Sequence, residues 1–375
     1  MTVSRLLGWG VVGLASLLAA CSSTISRPKP AEITAVKVQQ EVRPTWTARL
    51  NEVNFPLVAH VQDSEVALAD SRGTVAVLNA QTGKDVWRVT LGEPIIAGVG
   101  GDGQSLAVVT RSNQLVVLRQ GKVAWRQNLV AESFTAPLVA GGRVFVLGAD
   151  RKVQAFDAQT GRRLWTQQRT GEPLVLRQNG LLMPFKNTLL VGFSGRLAGL
   201  NPDTGVARWE LAIATPRGTN DMERLVDLLG PTYRNDDVVC VRAFQAQIGC
   251  VDAERGQVLW TRASIGERAM LGQGNTLFSV LSNGVVQGID IKTGERVWET
   301  ERLKYRPLSP AVVTPRGLLV ADNGGWLYVL SLTNGDLLNR TRLEGGELAG
   351  APALVGTNQV ITITKDGRVA GWQLP

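Results

Sequence analysis

The 375-residue sequence predicts an all-β protein: an eight-bladed β-propeller of four-stranded antiparallel blades. Three observations carry this. A phrase of alternating apolar residues, a tight turn and a tryptophan recurs along the chain. It recurs at the length of one propeller blade, and the two ends of the chain hold complementary fragments of it.

The phrase reads "GTVAVLNAQTGKDVW", "KVQAFDAQTGRRLW", "GRLAGLNPDTGVARW", "QIGCVDAERGQVLW" and "GVVQGIDIKTGERVW". Period-two alternation marks strands, and Asp or Asn shortly before Gly marks a tight turn that needs a positive φ. Gly83, Gly161, Gly205, Gly256 and Gly294 are the turn glycines, each four residues ahead of a tryptophan. Gly121 with Trp125 is a shortened copy, and Gly335 leads to Asn339 where tryptophan is expected. The register therefore runs Trp46, Trp87, Trp125, Trp165, Trp209, Trp260, Trp298, Asn339, eight positions about 42 residues apart. That spacing is the length of a four-stranded blade. The tryptophans read as packing between blades, with each indole N–H bonded to a backbone carbonyl, and Asn339 as a loosened contact. "PTW" at 44–46 has no strands before it, while "GRVAGWQLP" ends the chain without a final strand. The N-terminal strand should complete the last blade, closing the ring and removing its open edges.

Ahead of the repeats, Arg5 precedes an apolar stretch over 6–20 that is too short and too rich in Gly and Ala for a membrane span. Residues 1–20 read as a signal peptide. The stretch ends "LLAAC", which resembles the bacterial lipobox and makes Cys21 the lipidated residue. Ser22 follows, and a residue other than Asp there implies transfer to the outer membrane. Several acyl chains, at about 0.8 kcal/mol per buried CH₂, anchor a protein firmly. Residues 21–43, rich in Ser, Pro, Lys and Gln, read as a flexible tether with a root-mean-square span of about 25 Å, and 44–375 as the propeller. The formal net charge of +8, or +7 once Arg5 is removed, comes with no basic run and no aromatic stacking motif. Nucleic acid is therefore not a predicted partner.

Little in the chain suggests catalysis. His60 is the single histidine, which excludes a His-based metal site and a Ser-His-Asp triad. Asp236 and Asp237 sit at a predicted turn, and the repeating aspartates ahead of "TG" are turn residues. Cys240 and Cys250 lie equidistant from Gln245 in a tight hairpin. In an oxidising compartment they are either bonded across the strands or two small buried side chains.

The repeats resemble the blades of pyrroloquinoline-quinone dehydrogenases. That family uses an adjacent cysteine pair, an acidic and amide cluster holding Ca²⁺, and a longer chain with insertions. This sequence has no Cys-Cys pair and no CxxCH haem signature, so no catalytic residue, metal or cofactor is assigned. The alternative reading, a quinoprotein enzyme, predicts cofactor and Ca²⁺ binding with dye-linked alcohol oxidation.

The useful departures from the period are two long connections, 166–183 and 210–230. Both follow the last strand of a blade, so they should emerge side by side on one face. The first contains "EPLVLRQNG"; the second contains "RGTNDMERLVDLL", whose Met222, Leu225, Val226 and Leu229 suggest a short amphipathic turn or helix. Apolar residues ringed by charge suit a partner-binding patch, in which burial supplies affinity and charge fixes orientation. Leu174 and Leu176 either turn outward to a partner or tuck beneath their own loop.

Lipobox, tether, eight degenerate blades and an "LxLR" loop together resemble the BamB family, the propeller lipoproteins of the machinery that assembles outer-membrane β-barrels. The resemblance spans the whole chain. It implies a non-catalytic scaffold, monomeric outside its complex and lipid-anchored at the periplasmic face of the outer membrane. It implies binding to the POTRA domains of BamA, and contact with unfolded outer-membrane proteins by strand augmentation. Family contact residues map to Leu174, Leu176 and Arg177, and to Asp227 in the second loop. The second acid of the family pattern is replaced by Leu229, so Arg224 or Glu223 are further candidates. A propeller lipoprotein scaffold with a different client shares every one of these features except the partner.

Overall fold

The computed structural model describes residues 28–33, 42–171 and 174–374. Every regular element in it is a strand, and the strands form eight four-stranded antiparallel sheets. Blades 1 to 7 span 60–90, 95–128, 138–168, 182–212, 228–263, 271–300 and 312–342. Within each, chain order equals sheet order from the first strand to the fourth. Blade 8 takes three strands from the C-terminus, and its fourth is Arg43–Arg49, which pairs antiparallel with Arg368–Gln373. The N-terminal strand thus closes the ring, as the complementary chain ends require.

The burial pattern follows from position in the blade. Middle strands such as Thr188–Phe193 and Val75 to Leu78 are buried on both faces, because a neighbouring blade covers each side. Their sequences are accordingly continuous apolar runs. Fourth strands such as Ala207–Ala212 alternate exposed and half-buried positions, since one face looks to solvent. The apolar clusters run from blade to blade rather than forming one central core.

Each tryptophan lies over the turn of the next blade. The rings of Trp46, Trp87, Trp125, Trp165, Trp209, Trp260 and Trp298 face Gly83, Gly121, Gly161, Gly205, Gly256, Gly294 and Gly335 in turn. The indole N–H of Trp165 donates to Pro202 O at 2.9 Å, and those of Trp46, Trp125, Trp260 and Trp298 make equivalent bonds. A bulge between the third and fourth strands recurs in all seven of these blades, restoring register after the turn. The turn aspartates are structural: Asp157 Oδ1 accepts from the N–H groups of Gln159 and Thr160 and from the Thr160 hydroxyl. The Thr160 hydroxyl and N–H hold that carboxyl below its ordinary range.

This arrangement explains Asn339. Blade 8 draws its third and fourth strands from opposite ends of the chain, so no turn joins them and an indole in blade 7 would have nothing to stack on. A compact buried amide fills the position instead. At Gly205, φ is +72° and a Cβ would lie 2.6 Å from the Trp165 ring. Gly205→Ala should therefore lower stability by about 1–3 kcal/mol, read as an earlier denaturation midpoint with unchanged circular dichroism.

Two boundaries differ from the sequence reading. The propeller begins at Arg43, with Val42 already buried against blade 8. Within the expected tether, Ala31–Ile33 rests on the ring: Ala31 N–H donates to Lys304 O at 2.9 Å, and Ile33 packs against an apolar cluster of blades 6 and 7. Cys21 and the signal segment lie outside the described residues.

Cys240 and Cys250 face each other directly across two strands of blade 5, with Cα atoms 4.0 Å apart, and are disulfide-bonded. The bond closes a loop of ten residues' separation. Its removal in the Cys240→Ser, Cys250→Ser variant should cost about 3 kcal/mol on loop-closure grounds. Denaturation with and without reductant measures this, and the blade should stay folded because six backbone pairs still join the strands.

Candidate docking site

The connections leaving the fourth strands of blades 3 and 4, residues 169–181 and 213–227, are the longest between successive blades. Strand order is the same in every blade, so these connections emerge on one face and are neighbours. Backbone contacts join the end of the first to the strand that the second leads into. Leu181 N–H donates to Leu228 O at 3.1 Å, Gly230 N–H to Asn179 O at 3.0 Å, and Gly180 bridges Leu229.

Asp227 is the centre of the assembly. Its side chain is only 11% exposed and accepts from Arg151 Nη1 at 2.6 Å. It also accepts from the N–H groups of Leu176 at 3.1 Å and Ser194 at 3.0 Å. Arg151 in turn donates from Nη2 to Leu174 O at 2.8 Å. In an extended segment the C=O of one residue and the N–H two residues on point the same way. The Arg151–Asp227 pair thus grips the segment as a neighbouring strand would, through Leu174 O and Leu176 N–H.

This grip decides how the loop presents itself. Leu174 is 36% exposed, Val175 and Leu176 are half-buried, and the Arg177 side chain is 78% exposed. The Arg177 guanidinium lies 5.1 Å from the Phe134 ring centre and 3.7 Å from Glu132, both from the connection before blade 3. Held by a cation–π contact and a loose ion pair, it keeps most of its surface free. Beside it opens a cavity of about 550 Å³ near the propeller axis, whose wall includes Arg177, Leu57, Leu229, Leu308 and Leu348.

In the second connection, 221–224 form a turn rather than a helix. Leu225, Val226 and Leu229 are buried, whereas Met222, grouped with them in the sequence reading, is 71% exposed: the turn over 221–224 carries it away from the other three. The Glu223 carboxylate bends back onto Thr219 at 2.8 Å, and that backbone N–H holds it below the ordinary carboxyl range. Arg224 is half-buried. The structure separates the sequence candidates: Leu174 and Arg177 are exposed, Leu176 is half-buried, and Asp227 is an internal brace. Arg151, Glu132 and Phe134 escaped the sequence reading, since nothing in the repeat marks a residue that acts across a blade boundary.

Fold and site together define a class: an eight-bladed propeller of quinoprotein-like repeats whose elaboration is a braced pair of loops on one face. The family model described as outer membrane protein assembly factor BamB matches residues 71–300 and 266–374. The chain is 34% identical over 368 residues to the outer membrane protein assembly factor BamB of Burkholderia pseudomallei, covering 95% of each. It is 30% identical to that of Bordetella pertussis over 92% of this chain and 91% of the other. The chain belongs to the BamB family. The crystal structure of BamB from Moraxella catarrhalis superimposes with a TM-score of 0.81 at 22% identity, covering 89% of this chain and 100% of that one. The quinohemoprotein alcohol dehydrogenase of Comamonas testosteroni shares the fold, with a TM-score of 0.70 at 13% identity over 88% of this chain and 76% of that one.

Proposed function

We propose that this chain is a non-catalytic scaffold of outer-membrane β-barrel assembly, docking the POTRA region of BamA through Leu174, Leu176 and Arg177. The supporting observation is an exposed apolar and cationic segment whose backbone is fixed in advance by a buried ion pair. Fixing the loop before binding removes part of the ordering cost of association. Asp227, and with it Arg151, acts as a positioning residue rather than a contact. In this reading Arg224 and Met222, from the neighbouring connection, extend the surface.

The non-catalytic reading rests on the single histidine and the absence of a Cys-Cys pair. In this proposal Cys21 carries the lipid that holds the protein at the periplasmic face of the outer membrane. Outside the complex the chain is a monomer, and unfolded outer-membrane proteins are candidate clients. A photo-crosslinker at position 176 in cells tests the reading. Capture of BamA is expected; capture of a different periplasmic protein in its place would make the chain a scaffold for another client.

A further inference from the structure

The ring carries a receptor for the chain's own tether. Lys304 and Arg306 lie in the connection 301–311 between blades 6 and 7, which turns at Tyr305, φ +61°, with the Tyr305 N–H on Asn283 O at 2.6 Å. Lys304 O accepts the Ala31 N–H, and Arg306 Nη2 donates to Ala31 O at 2.9 Å. One tether residue is thus held at both its donor and its acceptor. Arg306 is itself fixed: its Nη1 donates to Asp322 Oδ2 at 3.1 Å, an oxygen that also accepts from the Tyr328 hydroxyl at 2.6 Å, while the Trp326 N–H donates to Oδ1 at 3.1 Å. Ile33 adds an apolar anchor against the cluster containing Leu303 and Leu308.

We infer that Ala31–Ile33 is a clamp that hangs the propeller from the membrane by its connection face. Connection 301–311 follows a fourth strand, as 169–181 and 213–227 do, so the clamp and the docking loops share one face. Strand Arg43–Arg49 runs toward that face, because the connection into blade 1 follows it. The chain without a clamp would enter the ring at Arg43, on the opposite face. The clamp therefore changes both length and direction. From Cys21 to Arg43 are 22 residue steps, but only ten from Cys21 to Ala31. At full extension these reach about 80 Å and about 36 Å. With the clamp closed, the docking face is held toward the bilayer. The membrane part of this inference rests on lipidation at Cys21; the clamp itself does not.

The test uses the full mature, lipidated chain in vesicles of phosphatidylethanolamine and phosphatidylglycerol. Hydrogen exchange at the Ala31 amide should be at least tenfold slower than in an unstructured peptide. That protection should vanish in Arg306→Met and in Ile33→Ser, the second of which leaves the Arg306–Asp322 pair intact. Exchange at the unprotected rate, or protection that survives both substitutions, overturns the clamp. Dyes attached through Arg217→Cys, on the connection face, and Gln81→Cys, on the turn face, report orientation by energy transfer to a membrane acceptor. Transfer should be stronger from 217, and Ile33→Ser should level the two; equal transfer with the clamp intact overturns the hanging geometry. A protein that keeps the protection but does not float with vesicles overturns lipidation, and the membrane part with it, while leaving the clamp established.

Discussion

Leu176→Asp and Arg177→Glu should each weaken co-purification with BamA at least tenfold, the second leaving the melting temperature nearly unchanged and the first, at a half-buried position, lowering it modestly. Burying a leucine side chain at an interface is worth about 1.5–3 kcal/mol, and a carboxylate in its place adds a desolvation cost. For Arg177, reversing a largely exposed charge, held internally only by a loose ion pair and a cation–π contact, costs binding if a partner carboxylate meets it, about 2–5 kcal/mol for a paired interfacial charge. Leu174→Asp provides a more exposed position on the same segment. Leu259→Asp, exposed on the fourth strand of blade 5, is the control and should bind as the native chain does. Loss of binding in the control alone would move the interface to the flank of the ring.

Asp227→Ala should have the larger effect on the protein itself, lowering stability by about 3–5 kcal/mol. Removing one member of a buried ion pair leaves the other charge with its desolvation cost uncompensated. Here the N–H groups of Leu176 and Ser194 also lose their acceptor. Hydrogen exchange at Leu176 should accelerate, and BamA binding should fall together with stability. Asp227→Asn, which keeps an acceptor but not the charge, should lie between. A contact residue would behave differently: binding would drop while stability and exchange at Leu176 stayed as they were. The pair of measurements therefore separates a brace from a contact.

Much of the fold was legible because it repeats. Alternation, turn glycines and tryptophans are local signals, and each is enforced again in the next blade. The ring closure was readable for the same reason, since a missing strand at one end matched a surplus at the other. The loops 169–181 and 213–227 were legible as departures from that repeat. Their internal arrangement was not, because Arg151 reaches Asp227 across 76 positions and no periodic pattern reports such a pair. Asp227 looked like a surface acid in "RLVDLL"; its neighbours Val226 and Leu228, both buried, were the available hint that it turns inward. The reason for Asn339 was not legible because it lies in another blade, where the turn that a tryptophan would have met does not exist.

The sequence by itself determined the architecture, the number of blades, the closing strand and which two connections exceed the repeat. These depend on short-range chemistry: period-two alternation, positive φ at glycine, and a tryptophan at a constant offset. Only the tertiary structure decided which way each side chain in those connections faces, that Asp227 and Arg151 grip the Leu174–Leu176 backbone, and that Ala31–Ile33 returns to the connection between blades 6 and 7. The physical reason is that these depend on unpaired backbone groups finding buried charges and carbonyls far along the chain. Such partners become neighbours only after the ring has closed.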